Sequence, residues 1–278
     1  MGDPGTVSGL IRKGWETAAP AYKDGIGPQI EPVSVHLSEV LRGILVPPVL
    51  DLACGPGTVL RHVWGDAPGF TGFGCDFSRE MVKIARGRVR GAGGIVADQD
   101  LLPFAAESFM TVVSSMGTIF SSDPGRQIDA IARILKPGGV YGFSAWGRAE
   151  ECELRGVSET VIQGWPHPYE GRIPPLESPF SSGRTSWLES VSDRAGLRID
   201  RVESGSVTFR FPDRESAARA LLGTGRFALL LRNGPGRPDR EGELVERTMA
   251  AFTPYTDPDS GAVLLSNRYH LFVLARNQ

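Results

Sequence analysis

Between residues 46 and 148, short apolar runs rich in β-branched and aromatic residues alternate with segments whose apolar positions recur every three to four residues. That alternation predicts βαβ units around a mostly parallel sheet. "VPPVLDLA", "FTGFGCDF", "GGIVAD", "SFMTVVSSM" and "GGVYGFSAW" read as five strands. "SREMVKIARGRV" sets Met81, Ile84, Ala85 and Val89 on one helical face, with Ser78 as N-cap. In "DPGRQIDAIARILKPGG", Asp123 caps, Pro124 takes the first turn, and Ile128, Ile131, Ala132 and Leu135 form the stripe that Pro137-Gly138-Gly139 ends. Beyond residue 148, "GWPHPYEGRIPPLESPFSSG" has prolines and aromatics but no period, and reads as an ordered loop or lid. "SWLESVSDRAG" returns to helix, stopped by Gly196, and "LRIDRVESGSVTFRF" to strand. Two helices follow, one around Ala217 to Leu222 and one with Leu244, Val245, Thr248, Met249 and Phe252 on a face, before "HLFVLAR" closes the chain as a last strand.

A chain of 278 residues with 41% hydrophobic content has room for one large α/β domain or two small ones with a full core. Lys and Arg number 30 against 32 Asp and Glu, which leaves no positive excess for a phosphate backbone and argues against nucleic acid. Arg86, Arg88 and Arg90 fall at a helix end, where cations complement the dipole. The odd set Cys54, Cys75 and Cys152 has no framework spacing and suits a reducing, cytoplasmic setting. The opening residues lack a signal-peptide core and no apolar stretch is long enough to cross a bilayer, so no membrane role is expected. His and Cys lack metal-ligand spacing, "DPDSG" at 257–261 lacks the later ligands of a calcium loop, and no G-x-S-x-G elbow is present. No metal and no serine hydrolase chemistry are therefore expected.

The informative stretch is "VLDLACGPGTVL", a strand ending on Asp51 followed by Gly55 and Gly57 at a strand-to-helix turn. Glycines there let a ligand approach the backbone. Asp76 closes the second strand 19 residues after Gly57, close to the roughly 20 expected of an acid that binds ribose hydroxyls. A dinucleotide fingerprint would carry a third glycine where Leu60 stands. S-Adenosylmethionine, which has adenosine but no phosphate, does not require it, and Asp76 would repel a ribose 2′-phosphate. The pattern favours the adenosyl ligand over a nicotinamide dinucleotide.

"VLDLACGPG", "GCDFSREMVKIAR", "ADQDLLPFAAESF" and "RILKPGGVY", in that order, resemble the successive motifs of class I S-adenosylmethionine-dependent methyltransferases. The branch is the one that includes quinone-biosynthesis C-methyltransferases and many small-molecule methyltransferases. The resemblance covers residues 45 to 145 strongly and the C-terminal third in outline. It implies a Rossmann-like, doubly wound α/β fold of seven strands, mostly parallel, with an N-terminal helical lid and a C-terminal lid insertion. The expected divisions are 1–44 for the helical lid, 45–148 for the cofactor-binding core, 149–196 for an acceptor-binding lid insertion and 197–278 for the strands and helices that complete sheet and cap.

By the same resemblance, Asp51, Gly55 and Gly57 shape the pocket for the methionine part and Asp76 takes the ribose hydroxyls. Phe77 and Met81 flank the adenine, Asp98 and Gln99 meet its edge, and Ser114, Ser115 and Met116 line the side facing the acceptor. Ala53 joins this set where many members have glycine, and Met110 stands where the usual motif has Asp. Tyr22 is counted with the cofactor residues. Because a sulfonium methyl is already activated, a catalytic base is optional. His167 is the candidate, with Tyr169, Glu170, Tyr22 and His36 as rivals. Trp165, Phe180, Trp187, Phe211, Phe227 and Phe252 either line an apolar acceptor site or form the core of the cap. The expected activity is methyl transfer to an apolar small molecule by a monomer or homodimer, in secondary metabolism or other small-molecule biosynthesis. The alternatives are a non-methylating S-adenosylmethionine enzyme, an NAD-dependent oxidoreductase and a non-catalytic binding module.

Overall fold

The computed structural model describes residues 7–64, 72–165, 178–181, 183, 185–233 and 237–278. Helices α1 (Val7–Asp24) and α2 (Ile26–Leu41) lead into β1 (Val49–Leu52), α3 (Thr58–Trp64), β2 (Gly72–Asp76), α4 (Arg79–Arg88), β3 (Gly93–Val96), β4 (Phe109–Ser115), α5 (Pro124–Ile134) and β5 (Leu135–Trp146). The chain continues through α6 (Glu153–Ile162), α7 (Ser186–Arg194), β6 (Leu197–Phe211), α8 (Arg214–Leu222), α9 (Gly225–Asn233), α10 (Arg237–Ala251) and β7 (Val263–Arg276). The strands form one seven-stranded sheet in the order β3-β2-β1-β4-β5-β7-β6, parallel from β3 to β5 and antiparallel where β7 enters between β5 and β6.

Burial along each strand explains its place in that order. β1 is buried at every position and lies inside the sheet, while β3 alternates half-buried and exposed residues and takes one edge. The sheet separates two cores. Val113 and Leu271 face the side covered by Leu37 of α2, Val157 of α6 and Leu221 of α8, while their neighbours Val112 and Phe272 face the side covered by Ile128 and Ile131 of α5 and Leu188 of α7. Adjacent strand residues pointing into different cores are what a sheet wound on both faces requires.

Helix starts follow local chemistry. The Ser78 hydroxyl accepts from the Met81 amide at 3.2 Å and the Asp123 carboxylate from the Arg126 amide at 3.0 Å, both as the sequence predicts. α5 ends at Ile134, because Leu135 already pairs with Phe109 of β4 and the register shifts before Val140 meets Thr111. The last strand begins at Val263 rather than His270, since "VLLSNRY" alternates buried and exposed residues in the ladder with β6. α6 and α9 arise in stretches to which the sequence assigned no helix. At the crossing of α1 and α9, a side chain on Gly14 would lie 2.2 Å from the Gly225 carbonyl oxygen, and one on Gly225 would lie 2.6 Å from the Trp15 ring. Glycine at both positions lets the helices approach closely, with the Trp15 ring half-buried against Gly225. Among the described residues, no helix is long and apolar enough to cross a membrane.

Candidate active site

The chain leaves β1 through Ala53, Gly55 and Gly57, all at positive φ (53°, 50° and 79°). The two glycines serve different ends. A Cβ on Gly57 would sit 3.0 Å from the Ala85 methyl, so this glycine lets α4 pack against the turn. A Cβ on Gly55 would meet no atom within 4 Å, because it would point into an open cavity. Asp76, at the end of β2, ties the neighbouring turns together: Oδ2 accepts from the Gly55 amide at 2.9 Å and Oδ1 from the Ser78 amide at 2.8 Å.

Those two bonds orient the carboxylate and leave further lone pairs for a ligand. Burial pushes the Asp76 carboxyl up to about 6, with the Ser78 and Gly55 amides opposing the rise and the charge of Glu16 adding to it. Asp51 is held well above the usual carboxylate range by burial and then by the charge of Asp76, against a hydrogen bond from the Leu60 amide. Its Oδ2 is buried without a partner. Gln99, after β3, donates from Nε2 to the Gly117 carbonyl at 3.2 Å, which fixes the amide and leaves its buried Oε1 without a donor.

The cavity these residues border has about 550 Å³ of atom-free space and is walled by Ala53, Gly55, Asp76, Phe77, Met81, Gln99, Ser115 and Met116, with Tyr22 and Trp15 contributed by α1. Of the residues singled out in the sequence, Asp51, Gly57, Asp98 and Ser114 do not reach this wall. Asp51 is buried, Gly57 faces α4, and Asp98 accepts from the Asp100 amide at 3.0 Å. The Ser114 hydroxyl is spent on the Leu52 carbonyl at 2.8 Å, holding β4 to β1. Ser115 faces the cavity in its place, hydrogen-bonded to Ser34 at 3.0 Å and Ser144 at 3.3 Å, and Met116 follows at φ 56° with its amide donating to Ser144.

A second cavity adjoins the first, with about 1210 Å³ of atom-free space, part of it open to solvent. Trp15, Tyr22, Met116 and Phe120 border both, so they form the partition. Trp15 meets the edges of Tyr22 and Phe120 with ring centroids 5.1 and 5.4 Å away. Trp15 was not singled out in the sequence, because nothing near residue 15 announces contacts with residues 120 and 225.

Burial, and secondarily the charge of Asp76, raises the Tyr22 hydroxyl far above its ordinary value, which makes it a neutral donor rather than a base. His167, Tyr169 and Glu170 lie outside the described residues. His36 is engaged away from both cavities, 2.9 Å from the Tyr269 hydroxyl and 3.3 Å from Glu203. Of the aromatics proposed for the acceptor side, Phe227 borders the second cavity. Phe180, Phe211 and Phe252 are buried in the two cores, and Trp165 stacks under the Arg240 guanidinium at 4.8 Å.

A twisted sheet with a glycine turn after β1, an acid after β2 and a cavity between them defines a nucleoside-binding α/β protein. The lone pairs left on Asp76 and the unmet Gln99 Oε1 suit ribose hydroxyls and an exocyclic amine. The residues present fit S-adenosylmethionine. Residues 49–139 match the family described as methyltransferase domain. That match covers about a third of the chain, so it is the segment 49–139 that resembles a methyltransferase domain. It is 28% identical over 179 residues to the mouse protein named arginine-hydroxylase NDUFAF5, mitochondrial, covering 64% of this chain and 50% of that one. It is 30% identical over 155 residues to a malonyl-[acyl-carrier protein] O-methyltransferase of Methylococcus capsulatus, covering 54% of this chain and 56% of that one. These matches span about half the length of either relative. The YcgJ protein from Bacillus subtilis shares the fold, with a TM-score of 0.57 at 15% identity over 87% of this chain and 98% of that one.

Proposed function

We propose that this protein transfers a methyl group from S-adenosylmethionine to an apolar small molecule. The observation that carries the reading is the pair of adjoining cavities, one bordered by Asp76 and Gln99 and the other largely apolar, separated by Trp15, Tyr22, Met116 and Phe120. When bound, the cofactor supplies a methyl group already activated by its sulfonium, so the chain's task is alignment and exclusion of water. Asp76 accepts from the ribose hydroxyls, Gln99 Oε1 accepts from the adenine amine, and Phe77 and Met81 hold the base between them. Gly55 leaves room for the methionine part. Trp15 and Phe120 keep water from the junction of the two cavities, and Tyr22 and the Ser115 hydroxyl there can orient an acceptor atom. His167 is the candidate base for an acceptor that must lose a proton. The acceptor belongs to secondary metabolism or other small-molecule biosynthesis, and three buried free thiols suit a cytoplasmic setting.

A second reading, an S-adenosylmethionine-binding enzyme of another reaction, is favoured by the hydroxylase name of the mouse relative, since fold and cofactor do not fix the chemistry. Calorimetric titration with S-adenosylmethionine, S-adenosylhomocysteine and NADH tests the cofactor, and label transfer from methyl-labelled S-adenosylmethionine to fractionated small molecules tests the reaction. Binding of NADH alone would overturn the reading. Binding of the adenosyl ligands with consumption of an acceptor but no label in the product would favour the second.

A further inference from the structure

The second cavity is apolar along most of its wall, from Leu10, Ile26, Ile119 and Trp146 to Leu221 and Phe227, yet two guanidinium groups border it. Arg155 of α6 is 4% exposed and donates from Nη1 to the Gly147 carbonyl at 2.8 Å and the Ser181 hydroxyl at 3.4 Å. Arg226, the second residue of α9, has Nε and Nη1 buried without a hydrogen-bond partner. Among the described residues no carboxylate pairs with it. Its pKa is lowered by burial, Glu159 of α6 favours its charge at longer range, and Arg155 opposes it. A buried arginine with unmet donors beside a largely apolar space, Arg226, is an unfavourable arrangement that an anion in the cavity would relieve.

We propose that the second cavity binds an amphipathic organic anion, its apolar body along the hydrophobic wall and its carboxylate on Arg226 within the field of Arg155. This names the acceptor class and rests on the methyl-transfer reading only for what becomes of the ligand. Arg226 sets specificity here: an arginine with unmet donors rewards an anionic ligand over a neutral one of the same shape.

The test is calorimetric titration of the full chain with octanoate, octan-1-ol and octylamine, with and without saturating S-adenosylhomocysteine. The three probes share one apolar body and differ in charge. Octanoate is expected to bind about tenfold or more tighter than octan-1-ol, as one charge-assisted contact allows, and octylamine weaker than both. Arg226→Gln should erase the preference for octanoate while keeping octan-1-ol within about twofold, and Arg226→Lys should restore part of it. Octanoate no tighter than octan-1-ol on the wild-type chain, or a preference that survives Arg226→Gln, overturns the proposal. The wild-type comparison needs no variant to fold. Failure to bind S-adenosylhomocysteine with octanoate selectivity intact would sink the methyl-transfer reading and leave the anion site standing.

Discussion

Replacing Asp76 by asparagine separates what the carboxylate does for the ligand from what it costs the fold. Burial raises its pKa from 3.8 to about 6 even though two backbone amides donate to it. A rise of that size means that ionisation at neutral pH costs the folded state roughly 3 kcal/mol, at 1.36 kcal/mol per unit. The sign follows directly. The folded protein holds this proton more tightly than the unfolded chain, so the associated stability is present below the unfolded pKa and is lost as pH rises through about 6. The asparagine side chain cannot ionise, and removing the charge of Asp76 also relieves the repulsion on Asp51. The difference in unfolding free energy between Asp76→Asn and wild type should therefore move toward the variant as pH rises from below about 4 to about 7, by up to roughly 3 kcal/mol. Groups not coupled to Asp76 titrate alike in both proteins and cancel in the difference.

Cofactor affinity should move the opposite way. Losing a charged acceptor for ribose hydroxyls is worth about 1.5–3 kcal/mol, so S-adenosylhomocysteine should bind about 10- to 150-fold more weakly to the variant at neutral pH. On the wild type, affinity should fall as pH drops below about 6, because a protonated Asp76 offers a poorer acceptor, whereas the variant should show no such dependence. Calorimetry across that pH range with parallel urea melts reads both effects. Equal affinities for the two proteins, or a wild-type affinity flat across that range, would remove Asp76 from the ligand site.

Gly55→Ala should cost only about 1 kcal/mol of stability, since its Cβ meets nothing within 4 Å, but should weaken S-adenosylhomocysteine binding by filling the cavity. Gly57→Ala adds contact with Ala85 to a φ of 79° and should cost about 1–3 kcal/mol; equal melting losses for the two variants would contradict the division of roles between the glycines. Trp15→Ala removes the edge contacts to Tyr22 and Phe120, and should cost about 2 kcal/mol and weaken the cofactor; an unchanged S-adenosylhomocysteine affinity would deny it a place in the partition. Arg247 donates to the Thr160, Val161 and Gln163 carbonyls at the end of α6, so Arg247→Ala should lose about 1 kcal/mol and speed hydrogen exchange in α6 without touching cofactor affinity.

The strands and the capped helices were legible because their signals are local. Ser78 and Asp123 cap within three residues, and Asp51, Gly55, Gly57 and Asp76 sit in or just after strands that short apolar runs locate. α9 was missed because "GRFALLLRN" is a leucine run behind a glycine, without the polar face that marks a surface helix. The first half of β7 was missed because Ser266, Asn267 and Arg268 interrupt the apolar run. In the structure Asn267 is fully buried, where its side-chain oxygen accepts from the Leu154 amide at 3.0 Å. Ser114 and Asp98 were drawn toward the cavity by position in the pattern, but their polar atoms are needed to join β4 to β1 and to close a turn.

The two cavities differ in legibility because they are built differently. Most of the first is made by the ends of β1, β2 and β4, whose backbones are fixed by the ladder, so a short motif determines where each side chain points. The second is walled by α1, α2, α6, α8 and α9, with Ile26, Arg155, Leu221 and Arg226 drawn from segments up to 200 residues apart. Its shape depends on how helices cross, and the crossing of α1 and α9 depends on two glycines, Gly14 and Gly225, that no local pattern pairs. Trp15 follows Gly14 directly, so the contact that docks the helix also sets the partition between the cavities. On the proposed function, acceptor specificity would be carried by packing outside the sheet, where substitutions can change the second cavity while the glycine turn stays as it is.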